Sequence, residues 1–337
     1  MRIILCFIIT CLVLLTLGIQ TEKTDTLKLD QANIVLPYFI IDGHTHDLVP
    51  RNGSDPVQSE LSELSKTGVN GVILAFPLNK TNSDKLINQI KRDIEFVHSY
   101  AKAKGIEISF VNSFSNNPND KIFTTVQILP SVEYFDGLFN GSTAMLDDLK
   151  QLGIRSTTLV NNRKDIISDD EKNLNKMGIN LVKRLNELDI AIDISHLSEF
   201  LQIEVIKTSA KPVFASHSNC KAIVTSNRNL SDRVISELTK KGGMVLLTFD
   251  KEYLSGNSSQ NGIDALIKHI DYLKTKYGEK CIGLGSDFGG SGANAPKELS
   301  TIESFIRIAQ KLEEIGYSRE TINGIMGKNI VDFFSKN

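Results

Sequence analysis

The 337-residue sequence has no tryptophan, 8 prolines, 4 cysteines and 6 histidines. So little proline excludes a collagen-like or proline-rich chain. Four cysteines are too few for a disulfide scaffold. There is no surplus of one charge, because 38 basic residues face 40 acidic ones and leave a formal charge of −2. A chain with no basic excess is poorly suited to neutralising phosphates, which excludes nucleic acid as its main partner. What remains is ordinary for a globular protein with a sizeable core, at 41% hydrophobic and 23% charged residues. The length fits one large domain or two small ones.

Long apolar runs are confined to the start. Met1-Arg2 precedes Ile3 to Ile19, which carries no charge, and the first acid is Glu22. This pattern reads as a secretory signal or an N-terminal anchor over residues 1–19, followed by a flexible lead-in over 20–35. Export is therefore expected, to the periplasm, to the medium, or to a membrane held through the N-terminus. Cys6 and Cys11 fall in this leader; Cys220 and Cys281 remain. Those two either pair or stay as buried thiols, since two cysteines set no connectivity by themselves.

Beyond residue 35 the chain alternates short β-branched runs with amphipathic stretches. The runs are Phe39–Asp42, Gly71–Phe76, Thr124–Leu129, Ser156–Val160, Ile190–Ile194, Val213–Ala215, Met244–Phe249 and Ile282–Gly285. Turn residues bound them, as expected of buried strands. Helices are predicted over Asn82–Lys104, over Ser168–Leu188 with a cap at Ser168-Asp169-Asp170-Glu171, and over Ser231–Lys241. The alternation predicts a parallel α/β fold, and eight runs predict a single (β/α)₈ barrel over 36–337. Ile106–Phe114 is a ninth candidate strand, read as an extra element beside the barrel.

In such a barrel the chemistry sits at the C-terminal ends of the strands. The runs end in Asp42-Gly43-His44-Thr45-His46, Val132-Glu133, Ser195-His196, Ser216-His217 and Ser286-Asp287. Four of the six histidines occupy such ends, whereas His98 and His269 lie within helices and read as ordinary solvated or half-buried residues. His44 and His46 are two apart, which on a strand puts both on one face. Neutral imidazoles with carboxylates suit zinc and related divalent ions. Two neighbouring ions need a shared carboxylate, for which Glu133 is the candidate, and a bridging hydroxide that attacks a polarised carbonyl.

These segments, in this order, resemble the membrane (renal-type) dipeptidases, family M19 of the amidohydrolase superfamily, a family of metallo-dependent hydrolases. Asp42-Gly43-His44 resembles the family's opening motif and Val132-Glu133 its bridging glutamate. Ile192 to Ser198 and Phe214 to Asn219 resemble its two histidine motifs, in spacing as well as in sequence. Ser226-Asn227-Arg228-Asn229 resembles the arginine motif, and Gly283 to Gly290 the final Gly-rich, Asp-Phe motif. The resemblance covers about Tyr38 to Phe334. It implies an exported two-zinc dipeptidase using a metal-bridging hydroxide, with a dipeptide as substrate, and is compatible with a homodimer. His44, the ligand at position 46, Glu133 and Asp287 would surround one zinc, and Glu133, His196 and His217 the other. Asp287 would also take a proton from the nucleophile and meet the substrate's amine. Arg228 would bind the substrate's C-terminal carboxylate, a match of guanidinium fork to carboxylate, and Tyr253 would face the substrate.

Two departures stand out. The family has His-x-Asp where this chain has His44-Thr45-His46-Asp47, so either His46 replaces the aspartate or Asp47 serves after a one-residue insertion; strand alternation favours His46. The family also has a histidine where this chain has Asn161, a residue expected at the oxyanion or the substrate. An amide can donate a hydrogen bond there but carries no charge. These departures keep open a hydrolase of another amide or a lactone, and a catalytically silent member of the family. The native metal stays open too, since manganese and iron also accept these ligands.

Overall fold

Eight short parallel strands follow one another around a ring. The computed structural model describes residues 38–48, 61–77 apart from 62 and 65, 83–117, 125–133, 143–160, 166–256, 262–290 and 294–336. The leader and lead-in assigned to 1–35, and Asn161, lie outside the described residues. Val35–Asn337 forms one compact unit.

The strands are β1 (Ile40–Thr45), β2 (Val69–Pro77), β3 (Ile108–Phe110), β4 (Val126–Glu133), β5 (Ser156–Thr158), β6 (Ala191–Asp193), β7 (Phe214–Ala215), β8 (Met244–Leu247) and β9 (Ile282–Leu284). Neighbours pair in parallel in the order β1-β2-β4-β5-β6-β7-β8-β9. β3 lies off this path, pairing only with the first residues of β4, and is the extra element expected from Ile106–Phe114. The ring closes between β1 and the residues after β9, where Asp287 N–H donates to His44 O (2.9 Å) and His46 N–H donates to Phe288 O (2.8 Å). All eight runs expected to be strands are found, so the fold is the eight-stranded α/β barrel.

The pleat sorts the apolar residues into two layers. Ile41, Ile73, Leu129, Phe214 and Leu246 point inward and pack with one another, while their neighbours Ile40, Val72, Ile128, Ala215 and Val245 pack outward. The helices are α1 (Ser83–Lys104), α2 (Ala144–Gln151), α3 (Lys176–Glu187), α4 (Glu199–Thr208), α5 (Asp232–Lys240), α6 (Lys251–Leu254), α7 (Gly262–Tyr277), α8 (Ser304–Glu314), α9 (Arg319–Asn323) and α10 (Asn329–Phe334), and all but α10 pack on that outer layer. Ile330, Phe333 and Phe334 of α10 join the inner layer. The barrel is thus a filled core, and its polar residues gather at the strand ends.

Two local expectations need correction. The helix expected from Ser168 begins at Lys176, with the Asn175 side chain accepting Gly178 N–H (2.9 Å). Asp170 Oδ1 accepts the N–H groups of Lys172 and Asn173 (2.8 Å each), which holds a turn in place of a helix. Glu171 is also left-handed (φ 57°), a conformation an α-helix cannot propagate. His269 is not half-buried but fully buried. Its Nδ1 accepts Cys220 N–H (3.1 Å) and its Nε2–H donates to Leu254 O (3.0 Å). Cys220 and Cys281 are both buried free thiols, which decides between the two readings of that pair.

Candidate metal centre

Six side chains from five strand ends converge at one mouth of the barrel. His44 and His46 come from β1, Glu133 ends β4, His196 follows β6, His217 follows β7 and Asp287 follows β9. Their positions follow from local geometry. The β1–β2 register slips between Asp42 and Thr45, which re-aims the end of β1. Glu133 shares its strand face with the inward-pointing Leu129.

Glu133 stands in the middle. Its Oε2 lies 3.0 Å from His46 Nε2. Its Oε1 lies 3.0 Å from His196 Nε2, 3.7 Å from His217 Nε2 and 3.8 Å from His44 Nε2. His44 Nε2 and His46 Nε2 are 3.3 Å apart, and Asp287 Oδ1 is 3.9 and 3.8 Å from them. On the other side His196 Nε2 and His217 Nε2 are 2.9 Å apart. Two overlapping donor sets result, His44–His46–Asp287 and His44–Glu133–His217, each close enough to hold one ion. The His44 and His217 rings stack, with centroids 4.2 Å apart, and join the two halves.

The donor chemistry fits cations. His46 Nδ1 lies 2.8 Å from Ala75 O, which leaves Nε2 unprotonated in the neutral ring. Ser216 Oγ donates to Asp193 and accepts from His217 Nδ1 (2.6 Å), with the same effect on His217. Burial holds the His44 imidazole down at about 3 and His217 well below its ordinary value, so both are neutral. Burial would raise Glu133, but the imidazoles of His46, His196 and His44 outweigh it and keep the carboxylate ionised. The Nε2 lone pairs of His46 and His217 therefore face the Glu133 carboxylate at 3.0 and 3.7 Å, an arrangement that a proton or a bound cation must reconcile.

Two of these residues are strained. His196 (φ 69°) and Asp287 (φ 61°) are left-handed, which non-glycine residues adopt at a cost. Gly290 permits the second turn, since a Cβ there would lie 1.9 Å from Asp287 Oδ1. Positions 46 and 47 differ in placement. His46 joins the cluster, whereas the Asp47 carboxylate lies against Gly289, where a Cβ would meet its Oδ1 at 2.1 Å.

Arg228 and Tyr253 flank the cluster. Arg228 Nη2 lies 3.3 Å from His196 Nε2, and its guanidinium lies 5.5 Å from the centre of the Tyr253 ring. The guanidinium is thus placed between a member of the cluster and an aromatic ring. Burial raises the Tyr253 phenol above its ordinary value.

Sequence reasoning overlooked a set of supporting residues. Asp42 and Asp193 are buried carboxylates that bind the serines preceding Asp287 and His217. Burial pushes Asp42 up to about 7 and raises Asp193, against the hydrogen bonds each accepts. Their signal was present in the recurring dipeptides Ser195-His196, Ser216-His217 and Ser286-Asp287.

Comparison with known proteins agrees with this geometry. Residues 30–336 match the model of the membrane dipeptidase family, peptidase family M19. An uncharacterised dipeptidase of Schizosaccharomyces pombe is 30% identical over 199 residues, 57% of this chain and 48% of the relative. The dipeptidase tcpJ of Claviceps purpurea is 25% identical over 197 residues, 56% of this chain and 46% of the relative. The chain thus aligns with about half the length of these relatives. A Rhodobacter sphaeroides metallopeptidase, solved with a phosphinate mimic of the dipeptide L-Ala-D-Ala, superposes with a TM-score of 0.76 at 20% identity, covering 89% of this chain and 99% of that one. That likeness establishes the fold. The family match spans all the described residues, and the chain belongs to the membrane dipeptidases, peptidase family M19.

Proposed function

We propose that the chain is an exported metallodipeptidase that holds two divalent ions, zinc by donor type, and hydrolyses the peptide bond of dipeptides. The observation that carries this reading is Glu133, whose two oxygens face His46 on one side and the His196–His217 pair on the other. His44, His46, Glu133 and Asp287 would hold one ion, and Glu133, His196 and His217 the other. When bound, the ions supply Lewis acidity that polarises the scissile carbonyl and acidifies the attacking water.

The chain's own residues do the rest. Asp287 sits at the rim, its side chain 12% exposed beside the nearly inaccessible His44 and His46, so it can accept a proton from water and pass it to the leaving amine. Arg228, on the His196 side, offers a planar fork to the substrate's terminal carboxylate. A short substrate bound between Asp287 and Arg228 has its amine and its carboxylate each against opposite charge, which favours dipeptides over longer chains. The Tyr253 ring, packed on Arg228, restricts the guanidinium and lowers the entropy cost of binding.

Dipeptide hydrolysis by the metal-loaded protein and its Arg228→Ala variant tests this. A charged hydrogen bond is worth about 1.5–3 kcal/mol, so KM should rise about ten- to a hundredfold with metal content unchanged. Unchanged KM and kcat would sink the dipeptidase reading. His46, a neutral donor in place of the family's aspartate, favours a second reading, a hydrolase of another amide or a lactone; preference for uncharged substrates in the same assay would select it.

A further inference from the structure

The same hydrogen-bonded unit occurs twice. In the first, Asp42 Oδ1 accepts the N–H groups of His44 (3.2 Å) and Ser286 (2.9 Å), and Oδ2 accepts the Ser286 hydroxyl (2.5 Å). In the second, Asp193 Oδ1 accepts the N–H groups of Ser195 (2.9 Å) and Ser216 (3.0 Å), and Oδ2 accepts the Ser216 hydroxyl (2.5 Å). The correspondence is atom for atom. Each aspartate, Asp42 within β1 and Asp193 at the end of β6, takes the N–H two residues on and both donors of a serine just past the neighbouring strand. All four side chains are buried, none more than 3% exposed.

Their placement has two further regularities. Each unit sits at a seam where the backbone ladder is thin. β6 and β7 share one registered pair, Asp193 with Phe214, and β1 meets the end of β9 through one bridge, Thr45 with Phe288. Each serine is followed directly by a member of the cluster, Asp287 or His217, and each aspartate precedes one by two or three residues, His44 or His196. The two left-handed residues of the cluster, His196 and Asp287, directly follow Ser195 and Ser286, whose N–H groups the carboxylates hold.

We infer that Asp42–Ser286 and Asp193–Ser216 are two separate positioning staples, one for each metal site: the first sets His44 and Asp287, the second His196 and His217. This rests on the two-ion reading above. Thin seams let adjacent strand ends slide or splay, and a buried carboxylate with three donors fixes both ends at once. In the second staple the Ser216 oxygen also accepts from His217 Nδ1, so the relay sets the tautomer as well as the position. Neither aspartate reaches the reacting atoms; they act through the ligands.

The test is metal retention by the full chain. Wild type and variants are loaded with Zn²⁺ and dialysed against graded chelator, and bound zinc per chain is measured. Circular dichroism and the melting temperature of the metal-free forms report folding. Loss of such a support typically weakens metal binding about ten- to a hundredfold. At a chelator level where wild type keeps two ions, Ser216→Ala and Asp193→Asn should each keep one, and so should Ser286→Ala and Asp42→Asn. Combining Ser216→Ala with Asp193→Asn should still leave one ion, because both break the same staple. Combining Ser216→Ala with Ser286→Ala should leave none. Ser216→Thr and Ser286→Thr, which keep the hydroxyl, should recover the second ion. The serine variants keep the backbone bonds, so they serve if the aspartate variants do not fold. Retention of two ions by both folded serine variants would overturn the inference, as would parallel loss of both ions from either one. Wild type that retains no zinc or other divalent ion would instead overturn the two-ion reading, and the staples' role with it.

Discussion

The cluster depends on single residues whose backbone conformations are costly. Asp287 holds a left-handed turn that Gly290 makes possible, because a Cβ at 290 would overlap the Asp287 carboxylate. The clash is with the end of a side chain, so Gly290→Ala should displace Asp287 and leave the fold intact. We expect kcat to fall at least about tenfold, with stability within about 0.5 kcal/mol of wild type, as for surface changes; steady-state kinetics and urea unfolding check both. At this scale much was legible in the sequence. His44, His46, Glu133, His196, His217 and Asp287 stood out because a polar residue ending an apolar run in a barrel has few reasons to be there. Alternation favoured His46 over Asp47, and the structure brings His46 into the cluster while Asp47 lies against Gly289. The serines and aspartates behind the ligands were harder to see. Asp and Ser are common at strand ends, and what distinguishes these is a partner up to 244 residues away.

At the scale of elements, the segment that carries Arg228 is tied to the elements beside it. His269 of α7 accepts from Cys220 and donates to Leu254 of α6. Asn229 donates to Val224 O and Tyr253 O (2.8 Å each) and accepts Asn219 N–H (3.2 Å). These bonds set the distance between Arg228 and Tyr253. Burial lowers His269 from about 6.5 to about 4, so between those pH values the unfolded chain binds a proton that the folded chain refuses. The stability that neutral His269 contributes is complete above about 6.5 and is lost as pH falls towards 4. For the metal-free protein, the stability advantage of wild type over His269→Gln should therefore shrink by about 2 kcal/mol between pH 7 and pH 5. An advantage independent of pH would contradict this role. Sequence patterning could not show it, because a histidine on a helix looks the same whether it faces solvent or the backbone of a distant loop. The misplaced start of α3 has a similar cause: the acids after Ser168 are good cap residues, and Asp170 spends its oxygens on a tighter turn.

On the scale of the whole molecule, the ring brings β1 and β9, far apart in sequence, against each other, and closure itself completes the site. His44, His46 and Asp287 meet only across that seam. The order of the strands was legible from alternation alone, since parallel neighbours joined by helices leave few topologies. Closure was inferred from the count of eight runs, and the bonds across the last seam account for it. The proposed function has this mouth read both ends of a dipeptide, with Arg228 on the carboxylate. It is tested most directly by comparing the metal-loaded protein on one dipeptide and on the same dipeptide with its C-terminal carboxylate converted to an amide. The free acid should be hydrolysed, with activity abolished by chelator, and kcat/KM should be at least about tenfold lower for the amide, the loss expected for one charged hydrogen-bonded pair. Equal turnover of the two, or no turnover of the free acid, would contradict it.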